Sequence, residues 1–142
     1  MTDATVGNHL ASEVNGDRAV IRIGLRLDSL EAHELRAMLD VLLLNGLLHL
    51  IVDLSRTEFI DSAGLASLIR AMTVLNERDG EIELVRPRSE NAWRVFRLTK
   101  FDEVFTIHTE VPVQSQVPVQ SQLPAQSQVP AESEPKPEEK TP

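Results

Sequence analysis

From Ala19 to Leu27, apolar Ile21, Ile23, Leu25 and Leu27 alternate with Val20, Arg22, Gly24 and Arg26. A period of two predicts a β-strand with one buried face. A short strand is expected before it, at Leu10 to Val14. From about Glu31 to Leu44 the spacing changes to three and four. Leu35, Met38, Leu39 and Leu42 form a stripe that predicts a helix, and Gly46 follows as its stop. Leu48-His49-Leu50-Ile51-Val52-Asp53-Leu54 is nearly continuous apolar sequence, the pattern of a strand covered on both faces. A second helix is expected from Ser62 to Gly80, with Leu65, Leu68, Ile69, Met72 and Leu75 on one face. A strand from Glu81 to Val85 is closed by Arg86-Pro87, and Ser89 opens a helix carrying Ala92, Trp93, Val95 and Phe96. A last strand is placed at Val104 to His108. Strands alternating with crossover helices predict an α/β fold, a mixed and mostly parallel sheet with helices packed on it.

The pattern stops at Glu110. From Val111 the chain reads VPVQSQ, VPVQSQ, LPAQSQ, VPAESE and PKPEEKTP, a degenerate six-residue repeat with Pro112, Pro118, Pro124 and Pro130 in register. Every proline except Pro87 lies here, and no aromatic residue does. Such a segment buries too little apolar surface to offset its ordering entropy, which predicts disorder with polyproline II character. The chain therefore divides into a flexible N-terminus at 1–9, one domain at 10–110, and a disordered tail at 111–142. A spacer or solubilising role is the default for that tail, and docking through its prolines the alternative.

Charge narrows the partners. The net charge is −8, from 14 basic and 22 acidic residues. In the tail Glu132, Glu134, Glu138 and Glu139 stand against Lys136 and Lys140, so most of the excess belongs to the domain. An acidic domain is a poor match for nucleic acid, whose binding rests on Lys and Arg neutralising phosphates. A protein partner is expected instead. The chain has no cysteine, which removes disulfides and thiolate metal sites and fits a reducing cytoplasm. No signal peptide is read at the N-terminus. The most apolar stretch, Val41 to Val52, is broken by Asn45, Gly46 and His49 and is too short for a membrane span. A cytoplasmic protein is expected.

The most informative stretch is Phe59-Ile60-Asp61-Ser62-Ala63-Gly64-Leu65, where strand gives way to helix. Asp and Ser are both favoured N-caps, because their side-chain oxygens accept from the second or third helical N–H. One helix start needs one cap, and here two candidates are adjacent. If Asp61 caps, Ser62 takes the first helical position with its hydroxyl free. A phosphoryl group there adds roughly −1.5 to −2 charges, which a helix N-terminus tolerates and Asp61 opposes. The fold would then survive modification while the surface changed sign.

Catalytic readings fail. Ser62 lacks the glycine pair of a nucleophile elbow and has no positioned His base. His9, His33, His49 and His108 are scattered, and His33-Glu34 is not followed by a second His at zinc-protease spacing. His49 reads as a strand-end or core histidine with a hydrogen-bond partner. Asp28, Asp53 and Asp61 read as turn residues and shapers of a charged surface. No catalytic residue, metal site or cofactor is expected.

The run Ile51-Val52-Asp53-Leu54 followed by Phe59 to Leu65 resembles the phosphorylation-site signature of STAS domains, specifically bacterial anti-sigma factor antagonists. Three further segments agree in order. Ile23-Gly24-Leu25-Arg26-Leu27-Asp28 is similar to the family's Gly-x-x-x-Asp strand ending. Gly80-Glu81-Ile82-Glu83-Leu84-Val85 resembles its next strand, and Phe96 to Phe105 its closing helix and turn. The chain departs from the family at Ala63, where many members carry a second hydroxyl, and at Leu25-Arg26, where a Gly-Glu-type sequence is usual. Glu31 stands where a Thr-type cap is common, so Asp28 or Ser29 is left to cap that helix.

The resemblance implies a single STAS-like domain that is a binding protein and not an enzyme. Its unphosphorylated form would bind an anti-sigma factor that is also an ATP-dependent serine/threonine kinase, releasing a sigma factor. Phosphorylation of Ser62 would end the binding, and a serine phosphatase would reset it. The contact surface expected with it comprises Asp28, Asp61, Ser62, Ala63, Gly64, Ala66, Arg70 and Thr73. Gly64 has two readings, close approach of the partner backbone or internal helix packing. The alternative function is a STAS subunit without phosphate, a structural or regulatory part of a lipid-transport or stress-signalling assembly.

Overall fold

A computed structural model describes residues 10–112. The expected flexible N-terminus and all of the repeat tail beyond Pro112 lie outside the described residues. Two residues close the first turn: β1 (Ala11–Asn15) and β2 (Arg18–Arg22) pair antiparallel with Asn15 opposite Arg18. Gly16 there has φ +66°, a value that glycine adopts without a Cβ clash. Next come β3 (Arg26–Leu27), α1 (Ser29–Leu44), β4 (His49–Asp53), β5 (Phe59–Ile60) and α2 (Ser62–Asn76). The chain finishes with β6 (Glu81–Val85), α3 (Glu90–Leu98), the short α4 (Phe101–Val104) and β7 (Thr106–His108).

The main sheet has the order β1-β2-β4-β6-β7, and every pair except β1–β2 is parallel. This is the mixed, mostly parallel α/β fold that the hydrophobic pattern predicts. Ile21, Leu50, Val52, Ile82 and Leu84 present one face to the helices, meeting Leu35 and Leu39 of α1, Leu68 and Leu75 of α2, and Phe96 of α3. On the other face Val20, Ile51 and Val85 form a smaller cluster against which Val111 packs. The residue expected to begin the tail is thus part of the folded surface.

The strand expected at Ala19 to Leu27 is two strands in two sheets. The Ile23 N–H still donates to Asp53 O (3.0 Å), but at Gly24 the backbone leaves the main sheet. The buried Thr57 hydroxyl donates to Gly24 O (2.9 Å), and the Glu58 N–H donates to Leu25 O (2.8 Å). These bonds re-pair the segment, so that β3 and β5 form a separate parallel ladder. The single buried face fails for the same reason. Leu25 is 44% exposed, while Ala19, Val20 and Ile21 are buried in succession because both faces of β2 are covered.

Helix ends also shift. α1 starts at Ser29 and not Glu31, because Asp28 caps it, its Oδ1 accepting from the Leu30 N–H at 3.2 Å. Met38, expected in the buried stripe, is only half-buried, whereas Leu35, Leu39 and Leu42 are buried as expected. α2 stops at Asn76, four residues before Gly80, and the last strand begins at Thr106 because Val104 ends α4.

Candidate functional site

The small β3–β5 ladder pairs Leu27 with Ile60. One residue beyond each lies an aspartate, and one beyond that an exposed serine: Asp28-Ser29 opening α1, Asp61-Ser62 opening α2. The two helices therefore begin side by side from equivalent positions.

Asp61 is the cap of α2. Its backbone is extended (φ −111°), and its Oδ1 accepts from the Gly64 N–H at 2.9 Å. Ser62 is left at the first helical position, exposed, and its hydroxyl makes no hydrogen bond within the described residues. The other hydroxyls on this helix are engaged. Ser67 donates to Gly64 O at 2.6 Å and Thr73 to Ile69 O at 3.0 Å. Among these, Ser62 is the hydroxyl open to chemistry.

Of the two readings of Gly64, the geometry carries the internal one. Gly64 is buried, and a Cβ there would collide with the carbonyl oxygen of Leu27. Its lack of a side chain lets α2 lie against β3.

Asp28 is held more tightly than Asp61. Arg26 Nε and Nη2 each lie 3.0 Å from its Oδ2, and the same guanidinium stacks over the Phe59 ring at 4.6 Å. Glu31, only 2% exposed, completes the cluster. Burial, then the hydrogen bond and charge of Asp28, hold the Glu31 carboxyl above the usual carboxylate range. Asp28 lies below its ordinary value, first through the hydrogen bond from Glu31 and then through Arg26. The two carboxyls thus shift in opposite senses, Asp28 down and Glu31 up.

Between α1 and α2 runs an open groove of about 410 Å³, lined by Ser29, Ala32, His33, Arg36, Ala63, Ala66, Ser67 and Arg70. Arg70 Nη2 reaches Asp40 Oδ1 across it at 3.1 Å. The expected contact residues thus fall into four places. Asp28, Asp61 and Ser62 stand at the paired helix starts, and Ala63, Ala66 and Arg70 line the groove. Thr73 is exposed on α2 but outside that lining, and Gly64 is inside the packing. Leu25, Leu30 and Phe59, at 44%, 62% and 44% exposure, are large apolar side chains left uncovered in the segments that build this end. Sequence reasoning missed Ser29, His33, Arg36 and Ser67. The repeated apolar-Asp-Ser triplet, Leu27-Asp28-Ser29 and Ile60-Asp61-Ser62, was a legible signal for Ser29. Helical spacing also marks Ser67, four residues after Ala63 and three before Arg70, whereas no local pattern announces that His33 and Arg36 of α1 face them.

Asp53 stands apart from both caps. Its Oδ1 accepts from the Ser55 N–H at 3.0 Å, and its Oδ2 lies 3.7 Å from Arg22 Nε, a turn residue as the pattern implied. His49 opens β4, half-buried between Arg18 and Glu81 of the flanking strands. Within the described residues no group of three or more His, Cys, Asp or Glu is arranged to hold a metal ion. No helix there is long and apolar enough to cross a membrane.

A parallel ladder that starts two capped helices, each opening on an exposed serine, beside a five-stranded mixed sheet defines a small α/β domain. The STAS domain family model matches residues 9–113, and the chain belongs to that family. No curated protein matches by sequence. Among solved structures, a putative anti-sigma factor antagonist from Thermotoga maritima is 24% identical, with a TM-score of 0.64 over 72% of this chain and 87% of that one. The Bacillus cell fate determinant SpoIIAA, in its phosphorylated form, is 25% identical with a TM-score of 0.58, over 72% and 93%. A sulfate transporter family protein from Wolinella succinogenes shares the fold at 18% identity and a TM-score of 0.56, over 65% and 76%.

Proposed function

We propose that this protein is an anti-sigma factor antagonist gated by phosphorylation of Ser62. The unphosphorylated form binds an anti-sigma factor that is a serine kinase and so frees a sigma factor. The kinase transfers a phosphoryl group to Ser62, the complex dissociates, and a serine phosphatase restores the binding form. The observation that carries this reading is the division of labour at the α2 start. Asp61 does the capping, so the exposed Ser62 hydroxyl has no hydrogen-bond partner among the described residues. Modification therefore leaves the helix cap in place. The uncovered Leu25, Leu30 and Phe59 supply the apolar part of a protein contact beside it. Likeness to anti-sigma factor antagonists supports the partner class.

The energetic demand is modest. A loss of about 3 kcal/mol, within reach of like-charge repulsion and desolvation, weakens binding more than a hundredfold. The test compares capture of the host's serine-kinase anti-sigma factor by wild type, Ser62→Ala and Ser62→Asp. Wild type and Ser62→Ala are expected to bind and Ser62→Asp to fail. Equal capture by all three would sink the switch, as would absence of Ser62 phosphopeptide under every growth condition.

A further inference from the structure

The groove beside Ser62 differs in charge from the molecule that carries it. The chain has a net charge of −8, yet the titratable side chains lining this groove are His33, Arg36 and Arg70, with no carboxylate among them. Its lining is otherwise small: alanines from both helices and the hydroxyls of Ser29 and Ser67. Arg70 is tethered at one end only. Nη2 pairs with Asp40, while Nη1 is buried without a hydrogen-bond partner. Ser29 and Ala63 lie in the first turns of α1 and α2, whose N-termini are capped by Asp28 and Asp61.

We propose that this groove is the docking site for a carboxylate-bearing segment of the partner protein, an Asp or Glu side chain entering between Arg36 and Arg70. The inference rests on the reading above for the identity of that partner and adds the chemistry by which it is recognised. A short acidic segment fits better than a nucleic acid. The groove offers only Arg36 and Arg70 beside His33, too few cations to follow an extended polyanion along a chain of net charge −8. The arrangement also explains the sign of the switch. A phosphoryl group on Ser62 adds negative charge to the helix whose next residue lines the groove, and so opposes an acidic anchor.

The test uses the full-length chain, labelled with 15N, at low ionic strength. One probe is a helical Glu/Ala peptide, and the other is the Lys/Ala peptide of equal length. Saturable amide shifts at Ser29, His33, Arg36, Ala63 and Ala66 are expected with the Glu peptide alone. Arg36→Glu is expected to weaken that binding by roughly tenfold or more. His33→Glu should act in the same direction and guards against a purely local effect at Arg36. Absence of shifts in the groove, equal shifts with both peptides, or undiminished binding in both variants overturns the proposal. With the purified kinase as probe, capture lost in Ser62→Asp but unchanged in Arg36→Glu also overturns the groove while leaving the switch intact. Peptide binding in the groove with no capture of the kinase by wild type supports the groove and sinks the switch alone.

Discussion

The two helices at the working end begin with the same triplet and end in different states. α1 opens on Leu27-Asp28-Ser29 and α2 on Ile60-Asp61-Ser62, and in both the aspartate caps. At the third helical position α1 has Glu31, buried and hydrogen-bonded to Asp28, whereas α2 has Gly64 pressed on the Leu27 carbonyl. Asp28 is further locked by Arg26, while Asp61 serves its cap alone. One start is closed by a charge network and the other is left open around its serine. A local motif therefore does not define a switch; the residue three positions on and the neighbouring strand do.

The sharpest way to break the comparison is to place charge on each serine in turn. Ser62→Asp is expected to weaken partner binding by about a hundredfold, close to 3 kcal/mol. Ser29→Asp, on the closed start, should have a smaller effect in the same titration calorimetry. Equal losses would show that the two starts are functionally alike.

Gly64→Ala comes next. A methyl group aimed at Leu27 O must move helix or strand, and a loss of about 2 kcal/mol in urea unfolding is expected. Helix propensity alone would make the same change stabilising by about 1 kcal/mol, so the sign decides between packing and propensity. Removing the cap, Asp61→Ala, should cost about 1 kcal/mol in the same assay. Asp28→Ala is expected to cost more than Asp61→Ala, because it also strips Arg26 and Glu31 of their partner.

The smallest effect is in pH dependence. Glu31 titrates above its ordinary 4.5 in the fold, so its contribution is complete below that pH and drains away as pH rises through the raised folded value. Asp28 works in the opposite sense, contributing above its ordinary 3.8 and losing this as pH falls through its lowered value. Glu31→Gln keeps a donor without a titrating proton. Its melting temperature should match wild type at about pH 4 and exceed it increasingly toward about pH 7. A gap independent of pH would show that Glu31 titration does not contribute to stability.

Much of this molecule was legible in one dimension. The stripe on α2, the buried run of β4, the Ser89 cap of α3 and the end of the repeating pattern near Glu110 all follow from spacing over a few residues. The Asp61-Ser62 pair was visible for the same reason, since capping is a contact over two or three positions. The break at Gly24 was not, because it depends on Thr57, 33 residues later, donating to its carbonyl. Nor was the burial of Glu31, whose carboxyl pattern alone places at an exposed helix start.

By itself, then, the sequence determined the main strands and helices and the adjacent Asp61-Ser62 pair at the α2 start, because periodicity and capping are local interactions. Only the tertiary structure decided that Gly64 serves packing and that α1 lends His33 and Arg36 to the groove beside Ser62. These depend on contacts between residues about thirty apart or more, which the β3–β5 ladder brings together and no stretch of sequence contains.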